Sequence, residues 1–239
     1  MALFVGTSGW DYPEWKGEFY PASLRRADFL DYYSAQLGAC EINTTFYGLQ
    51  TPETVERWLA STPPDFRFAV KTHRRLTHTK NITARYVEFL HEFLETLEPF
   101  GDRLGSLLIQ FPPTRDRDDE ALERLLAGIP VQFPRAVEFR HESWESPEVV
   151  ERLAGMGATV CFSDTTGEVP AALPPGPIGY VRLRADHYSE EQREGWLSLL
   201  TREAQQRDTY AFAKHKEVPA NDPYTGAGFA EWLIRETGS

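Results

Sequence analysis

Cysteine is scarce, with only Cys40 and Cys161 in 239 residues. That excludes a disulfide framework. Both sit in apolar, strand-like surroundings, so buried free thiols in a cytoplasmic protein are expected. No segment approaches the roughly 18 consecutive apolar residues of a membrane span. The opening "MALFVGTSGW" has no charged region leading into an apolar run, so no signal peptide is read there. Positive charge is in deficit: 36 acidic against 25 basic residues give a net charge of −11. This argues against a general nucleic-acid binder but leaves room for a local basic pocket. Several catalytic signatures are also missing. There is no P-loop and no H-E-x-x-H. "GTSG" is too short for a dinucleotide fingerprint. "GTSGW" is not a G-x-S-x-G elbow, although Ser8 and Ser163 lie near strand ends. No linker, low-complexity tract or break in composition divides the chain, which reads as one domain over residues 1–239.

Eight apolar runs of strand length are present: "ALFVG", "ACEIN", "FRFAVK", "SLLIQF", "AVEFR", "ATVCFSD", "IGYVRLR" and "TYAFAK". Amphipathic helical segments separate most of them. "TPETVERWLAS" carries Thr51 as N-cap and Pro52 at the first helical position. In "ARYVEFLHEFLETLEPF", Tyr86, Leu90, Phe93 and Leu97 form one apolar stripe. Ser146 before Pro147 is another start signal. Ser189 and Gln192 are spaced as a capping box. "DPYTGAGFAEWLIRE" is read as a last helix opening at Asp222 and Pro223. After the sixth strand, "TTGEVPAALPPGP" has four prolines, so a regular helix is not expected there. Strands alternating with helices imply parallel pairing. Eight such units in this length predict an α/β fold, a single (β/α)8 TIM-like barrel whose helix after strand six is missing or irregular.

Side chains alternate along a strand. In "AVEFR", Val137 and Phe139 share one face while Glu138 and Arg140 share the other. The same sorting turns Ile42, Phe68, Val70, Leu107, Ile109, Val181 and Leu183 toward the helices. It turns Glu41, Asn43, Lys71, Gln110, Glu138, Arg140, Arg182, Arg184 and Lys214 inward, near the C-terminal strand ends where barrel enzymes build their sites. Asp164 is placed with this group, although it has the opposite parity to Thr159 and Cys161. So many polar side chains converging from different strands are costly without a ligand.

The strings "GTSGWDYPEWKGEFYP", "CEINTTFYG", "FAVKTHRRLTH", "LLIQFPP", "VEFRHESW", "SDTTG" and "YVRLRA", in this order from residue 4 to about residue 188, resemble the YecE-like family, known as domain of unknown function 72. The resemblance implies a TIM-like barrel and brings no established reaction. It maps the family's polar signature onto Trp10, Glu41, Asn43, Tyr47, Lys71, His78, Gln110, Glu138, Arg140, Trp144, Asp164 and Arg182. The tail departs from the family pattern, with Lys214 and His215 where an Asn-rich run is usual.

The chemistry expected at the mouth is that of a cofactor-independent enzyme, hydrolase- or lyase-like, working by acid/base steps on an anionic small molecule, a phosphate ester or carboxylate. Arg140, Arg182 and Arg184 would hold the anion by the guanidinium fork, and Lys71 would stabilise developing charge. Glu41, Glu138 or Asp164 would move protons. Trp10, Asn43, Tyr47, His78, Gln110, Trp144 and Lys214 would complete the ligand contacts. No cofactor and no tightly bound metal are expected. His73, His78, His141, His187 and His215 follow strands, but no tight ligand spacing joins them and nearby cations oppose a metal. The alternative is a nucleic-acid-processing or nucleic-acid-binding barrel, metal-assisted phosphodiester hydrolysis included, for which Arg74, Arg75 and Lys80 are the visible rim cluster.

Overall fold

The alternating strands close on themselves in one parallel sheet. The structure, a computed structural model, describes residues 1–79, 83–215 and 219–238. Its strands are β1 (Leu3–Thr7), β2 (Ala39–Ile42), β3 (Arg67–Lys71), β4 (Leu104–Gln110), β5 (Arg135–Glu138), β6 (Thr159–Val160), β7 (Phe162–Asp164), β8 (Gly179–Leu183) and β9 (Thr209–Ala213). Their order is β6-β5-β4-β3-β2-β1-β9-β8-β7. The expected sixth strand is thus two short strands in succession. β6 pairs with β5, and β7 pairs with β8. Cys161 between them still donates its amide to Val137 O at 2.9 Å. The wall is continuous, and the nine strands are the eight walls of a TIM-like barrel.

The helices are α1 (Phe29–Gln36), α2 (Pro52–Ala60), α3 (Arg74–Thr77), α4 (Ala84–Glu95), α5 (Asp119–Ala127), α6 (Pro147–Gly155), α7 (Glu190–Ala204) and α8 (Gly226–Thr237). Residues 165–178 contain no helix, as their prolines require. The start signals act as read. Thr51 and Ser146 accept the Thr54 and Val149 amides, and Ser189 with Gln192 forms a reciprocal capping box. Helix α8 is a correction: it starts at Gly226 rather than at Pro223. The Asp222 carboxylate accepts the Tyr224 amide at 2.9 Å, which holds residues 222–225 in a turn. Among the described residues no helix is long and apolar enough to cross a membrane.

Two apolar layers result. The outer one packs Ile42, Val70, Ile109, Val137 and Val181 beneath the helices, and it takes in the stripe Tyr86, Leu90, Phe93 and Leu97. The inner one fills the barrel with Ala39, Ala69, Leu108, Ala136, Cys161, Tyr180, Tyr210 and Phe212. Alanines on β2, β3 and β5 leave the space that the rings on β8 and β9 fill, so the interior is packed rather than hollow. Cys40 and Cys161 are both buried free thiols.

The capping box predicts a measurable contribution. Ser189→Ala should lower stability by about 1 kcal/mol, read as a lower urea midpoint with an unchanged slope.

Candidate functional site

Register fixes the inner face of the mouth. Glu41 lies beside Ala69, Gln110 beside Glu138, and Ser163 beside Arg182. Arg182 of β8 reaches across the barrel to two carboxylates. Its Nη1 donates to Glu138 Oε2 at 2.6 Å and its Nη2 to Glu41 Oε1 at 2.8 Å. Glu41 is fully buried. It also accepts Ser8 Oγ at 2.9 Å, Asn43 Nδ2 at 3.0 Å and Tyr180 Oη at 2.9 Å. Glu138 accepts Gln110 Nε2 at 2.6 Å on Oε2 and Arg140 Nε at 3.1 Å on Oε1. Burial alone would push the Glu41 carboxyl up. Arg182 beside it, with the hydrogen bonds from Asn43, Tyr180 and Ser8, outweighs that and holds it below the ordinary value.

Arg182 is therefore committed to the protein. Both ends of its fork are taken, its Nε is sealed without a partner, and the residue is 2% exposed. The expected direct grip of Arg182 on a ligand is corrected to an internal clamp, because buried carboxylates bind it first. Ser8, whose place near a strand end raises the question of a nucleophile, is a donor to Glu41.

One step further along the same strand faces lie Asn43, Arg140 and Arg184. Arg140 gives only its Nε to Glu138, and its side chain is 47% exposed, so its terminal amino groups face the opening. Arg184 is half-buried, and among the described residues its side chain makes no hydrogen bond or ion pair. Lys71 ends β3 on the inner face. Its ammonium lies 4.2 Å from the centre of the Phe46 ring, and among the described residues it has no hydrogen bond or ion pair. Its carbonyl accepts Thr45 Oγ1 at 2.6 Å, which ties β3 to the turn carrying Phe46. Burial, and then the neighbouring Arg182, push the Lys71 pKa down to about 8, against the opposing pull of Glu41 and Glu138. His78 stands edge-on to Phe46 with centroids 5.3 Å apart. It is lowered by burial first, then by Lys71 and the surrounding arginines. Tyr47, 74% exposed, packs edge-on to Phe46 and forms the rim.

Three expected site residues lie elsewhere. Asp164 registers with the helix-facing Leu183, so it points away from the Glu41–Glu138 network. It accepts the amides of Thr166 and Gly167 and the hydroxyl of Tyr188, at 3.0, 2.7 and 2.8 Å. Gly167 supplies the left-handed turn (φ +84°) that aims its amide there. Trp144 is buried, stacks on Phe139 at 4.2 Å and gives its indole N–H to Arg115 O; no face is left for a ligand ring. Lys214 pairs with Asp186 on the rim. Trp10 is half-buried and set edge-on to Trp58.

The histidines are dispersed: His73 caps α3, His141 caps the turn at Ser143, His187 packs on Tyr224 and His215 on Tyr12. Among the described residues no three His, Cys, Asp or Glu side chains converge as metal ligands. Arg74 and Arg75 are exposed on α3, with Arg75 laid over Phe89; Lys80 lies outside the described residues. Phe46, Thr45 and Tyr180 escape the sequence reading. Tyr180 alone carries a signal, since it shares Arg182's strand face two residues earlier. A cavity of about 1180 Å³ opens at the N-terminal strand ends, beside Phe4 and Arg67. That is the end away from this chemistry, and barrel enzymes work at the other.

Comparison with known proteins gives one family. The model of the protein family of unknown function DUF72 matches residues 4–237. The chain is 27% identical over 210 residues to the UPF0759 protein YunF of Bacillus subtilis, covering 82% of this chain and 72% of that protein. It is 31% identical over 140 residues to the UPF0759 protein YecE of Escherichia coli, covering 58% of this chain and 48% of that protein. A crystal structure of a DUF72 family protein from Thermotoga maritima superposes with a TM-score of 0.81 at 27% identity over the whole of both chains. One from Enterococcus faecalis gives 0.72 at 17%, over 99% of this chain and 98% of that one.

The clamp predicts two outcomes. Arg182→Ala leaves the buried Glu41 without a cation and Glu138 with Arg140 alone, and should cost about 3–5 kcal/mol, a fall of roughly 10 °C in the unfolding midpoint. Tyr180→Phe removes a donor to ionised Glu41, which raises that carboxyl's folded pKa. Because the folded value lies below the unfolded one, this stabilisation is complete above about pH 4.3 and is lost as pH falls through the folded value. Acid unfolding of Tyr180→Phe should therefore set in at higher pH than in the wild type, followed by circular dichroism.

Proposed function

The chain belongs to the DUF72 family of proteins of unknown function, and for it we propose a mouth that binds a small anion and carries out acid/base chemistry on it. One observation carries the reading: the charge at the mouth does not cancel. Glu41 and Glu138 are matched by Arg182 and Arg140, which leaves the Lys71 amine and the Arg184 guanidinium over, in a chain of net charge −11. Surplus cations in a partly desolvated cleft favour an anion, because removing water strengthens each contact.

In this reading the terminal amino groups of Arg140, with Arg184, hold a phosphate or carboxylate. Lys71, with a pKa of about 8, is the group that moves a proton near neutral pH. Glu41 and Glu138 are already occupied by donors and position Arg182 and Arg140. Asp164 organises its own turn. A nucleic-acid backbone fits less well. The surplus cations lie inside the mouth rather than along a stripe on the rim, and the overall charge repels a polyanion.

Thermal unfolding with inorganic phosphate and a panel of phosphorylated and carboxylated metabolites, at fixed ionic strength, tests this. A ligand at a hundred times its Kd stabilises by about 2.7 kcal/mol, so the wild-type midpoint should rise by several degrees, and Arg140→Ala should lose that rise. The ligand effect should also fade as pH rises through about 8 and Lys71 loses its charge. No ligand shifting the wild type, or equal shifts in both proteins, would overturn the reading.

A further inference from the structure

The chain has twenty arginines and only five lysines, Lys16, Lys71, Lys80, Lys214 and Lys216. Arginine is its usual cation, and every side chain that clamps or lines the inner mouth with charge, Arg140, Arg182 and Arg184, follows that habit. Lys71 is the exception. Arginine cannot give up its proton in a protein, whereas lysine can, and then it carries a nucleophilic lone pair. A lysine kept only for its charge would be placed against a carboxylate. The Lys71 ammonium instead lies over the ring face of Phe46, a weaker partner for a cation than a carboxylate, and its side chain has no hydrogen bond or ion pair among the described residues. The residue is 9% exposed. Its Nζ is nevertheless not among the sealed, unpartnered atoms, unlike Arg182 Nε, so the amine is shielded from bulk water yet reachable from the opening. The carboxylates that could hold it as an ammonium ion are already engaged by Arg182, Arg140, Gln110, Asn43, Tyr180 and Ser8, and their remaining pull on Lys71 is outweighed by burial and Arg182.

We infer that Lys71 condenses with the carbonyl carbon of an anionic aldehyde or ketone, a phosphorylated or carboxylated one, to form a protonated imine in the barrel mouth. This rests on the anion site proposed above: Arg140 and Arg184 seat the anionic group and deliver the carbonyl to Lys71. The step balances without any further reactant. The lysine ammonium gives up a proton so that its nitrogen can attack, and the C–N bond forms as the carbonyl π pair moves to oxygen. That oxygen takes up two of the three ammonium protons and leaves as water. The iminium keeps the third proton and the positive charge, so the charge facing Glu41 and Glu138 is the same before and after. Burial and the adjacent Arg182 hold the amine near pKa 8, which raises its free-base fraction at neutral pH by roughly two orders of magnitude over an unperturbed lysine. Such an iminium withdraws electrons from the neighbouring carbon, and this is what activated lysines of this kind serve.

The test traps the imine. The full chain is incubated near pH 7.5 with glycolaldehyde phosphate and sodium borohydride. Parallel samples contain neutral glycolaldehyde, or glycolaldehyde phosphate with excess inorganic phosphate. Hydride adds to the iminium carbon and leaves a stable secondary amine, located by peptide mapping across the five lysines and the α-amino group. The expected result is modification of Lys71 at least tenfold faster than at any other amine. It should be faster with the phosphorylated than with the neutral aldehyde, and slowed by inorganic phosphate. Lys71→Arg should abolish the adduct while its circular dichroism spectrum stays that of the wild type, because a guanidinium keeps the charge but cannot form the imine. Modification of Lys71 no faster than of the other amines would overturn the imine. If phosphate still protects the wild type against heat in that case, the anion site stands without it. Equal labelling of Lys71 by both aldehydes, with no effect of phosphate, would instead overturn the anionic substrate class and the anion site together.

Discussion

Two carboxylates buried from opposite walls of a closed barrel cannot both stay ionised unless a cation is held between them. Arg182 is that cation, and much of the mouth follows from it. Glu41 comes from β2, Glu138 from β5 and Arg182 from β8, so the clamp spans three separated walls. Their oxygens take further donors, which Ser8, Asn43, Tyr180, Gln110 and Arg140 supply. Such a network adds little net stability compared with apolar packing, because desolvation of the ions offsets most of their attraction. Its structural effect is positional. It fixes the direction of the polar side chains it joins, and of these Arg140 alone keeps its terminal amino groups outside the network.

Much of this was legible in the sequence, because strand parity is a local property. Ile42, Val137 and Val181 mark the helix-facing side, and their neighbours Glu41, Glu138 and Arg182 duly face inward. Parity does not give depth. Arg182 and Arg184 look equivalent in "YVRLR", yet the first is sealed between carboxylates and the second is half-buried at the opening. That difference depends on how far β8 is staggered against β2 and β5, which is settled only when the barrel closes. Asp164 fails for a related reason. The wall narrows to single bridging residues around Cys161, the alternation continues through it, and Asp164 emerges beside Leu183 on the helix side. Trp144 could not be resolved from spacing, since its fate turns on a short 3-10 turn, Glu142–Trp144, that folds the ring onto Phe139. Phe46 gave no signal because it lies on a turn, outside any periodic element.

The interior is graded along the barrel axis, and the order of its layers matters. Alanines and aromatic rings fill the lower part and exclude water. Above them Glu41, Glu138 and Arg182 carry one net negative charge, which Arg140 from the tier above cancels, so the clamp can sit on a low-dielectric floor. Above the clamp come the residues two positions further along the same strand faces: Asn43 after Glu41, Arg140 after Glu138, Arg184 after Arg182. The motifs Glu-x-Asn, Glu-x-Arg and Arg-x-Arg thus do two jobs each, with the first residue closing the floor and the second facing the opening. Lys71 belongs to the upper tier by its position at the end of β3. It is poised there because the tier below has already consumed the carboxylates that would otherwise neutralise it. A mouth built directly on the apolar layer would hold the same lysine and arginines with nothing fixed beneath them, and their mutual repulsion would drive them apart. The clamp anchors the strand ends that carry these cations, and it engages both carboxylates without an ion pair to Lys71 or Arg184 among the described residues.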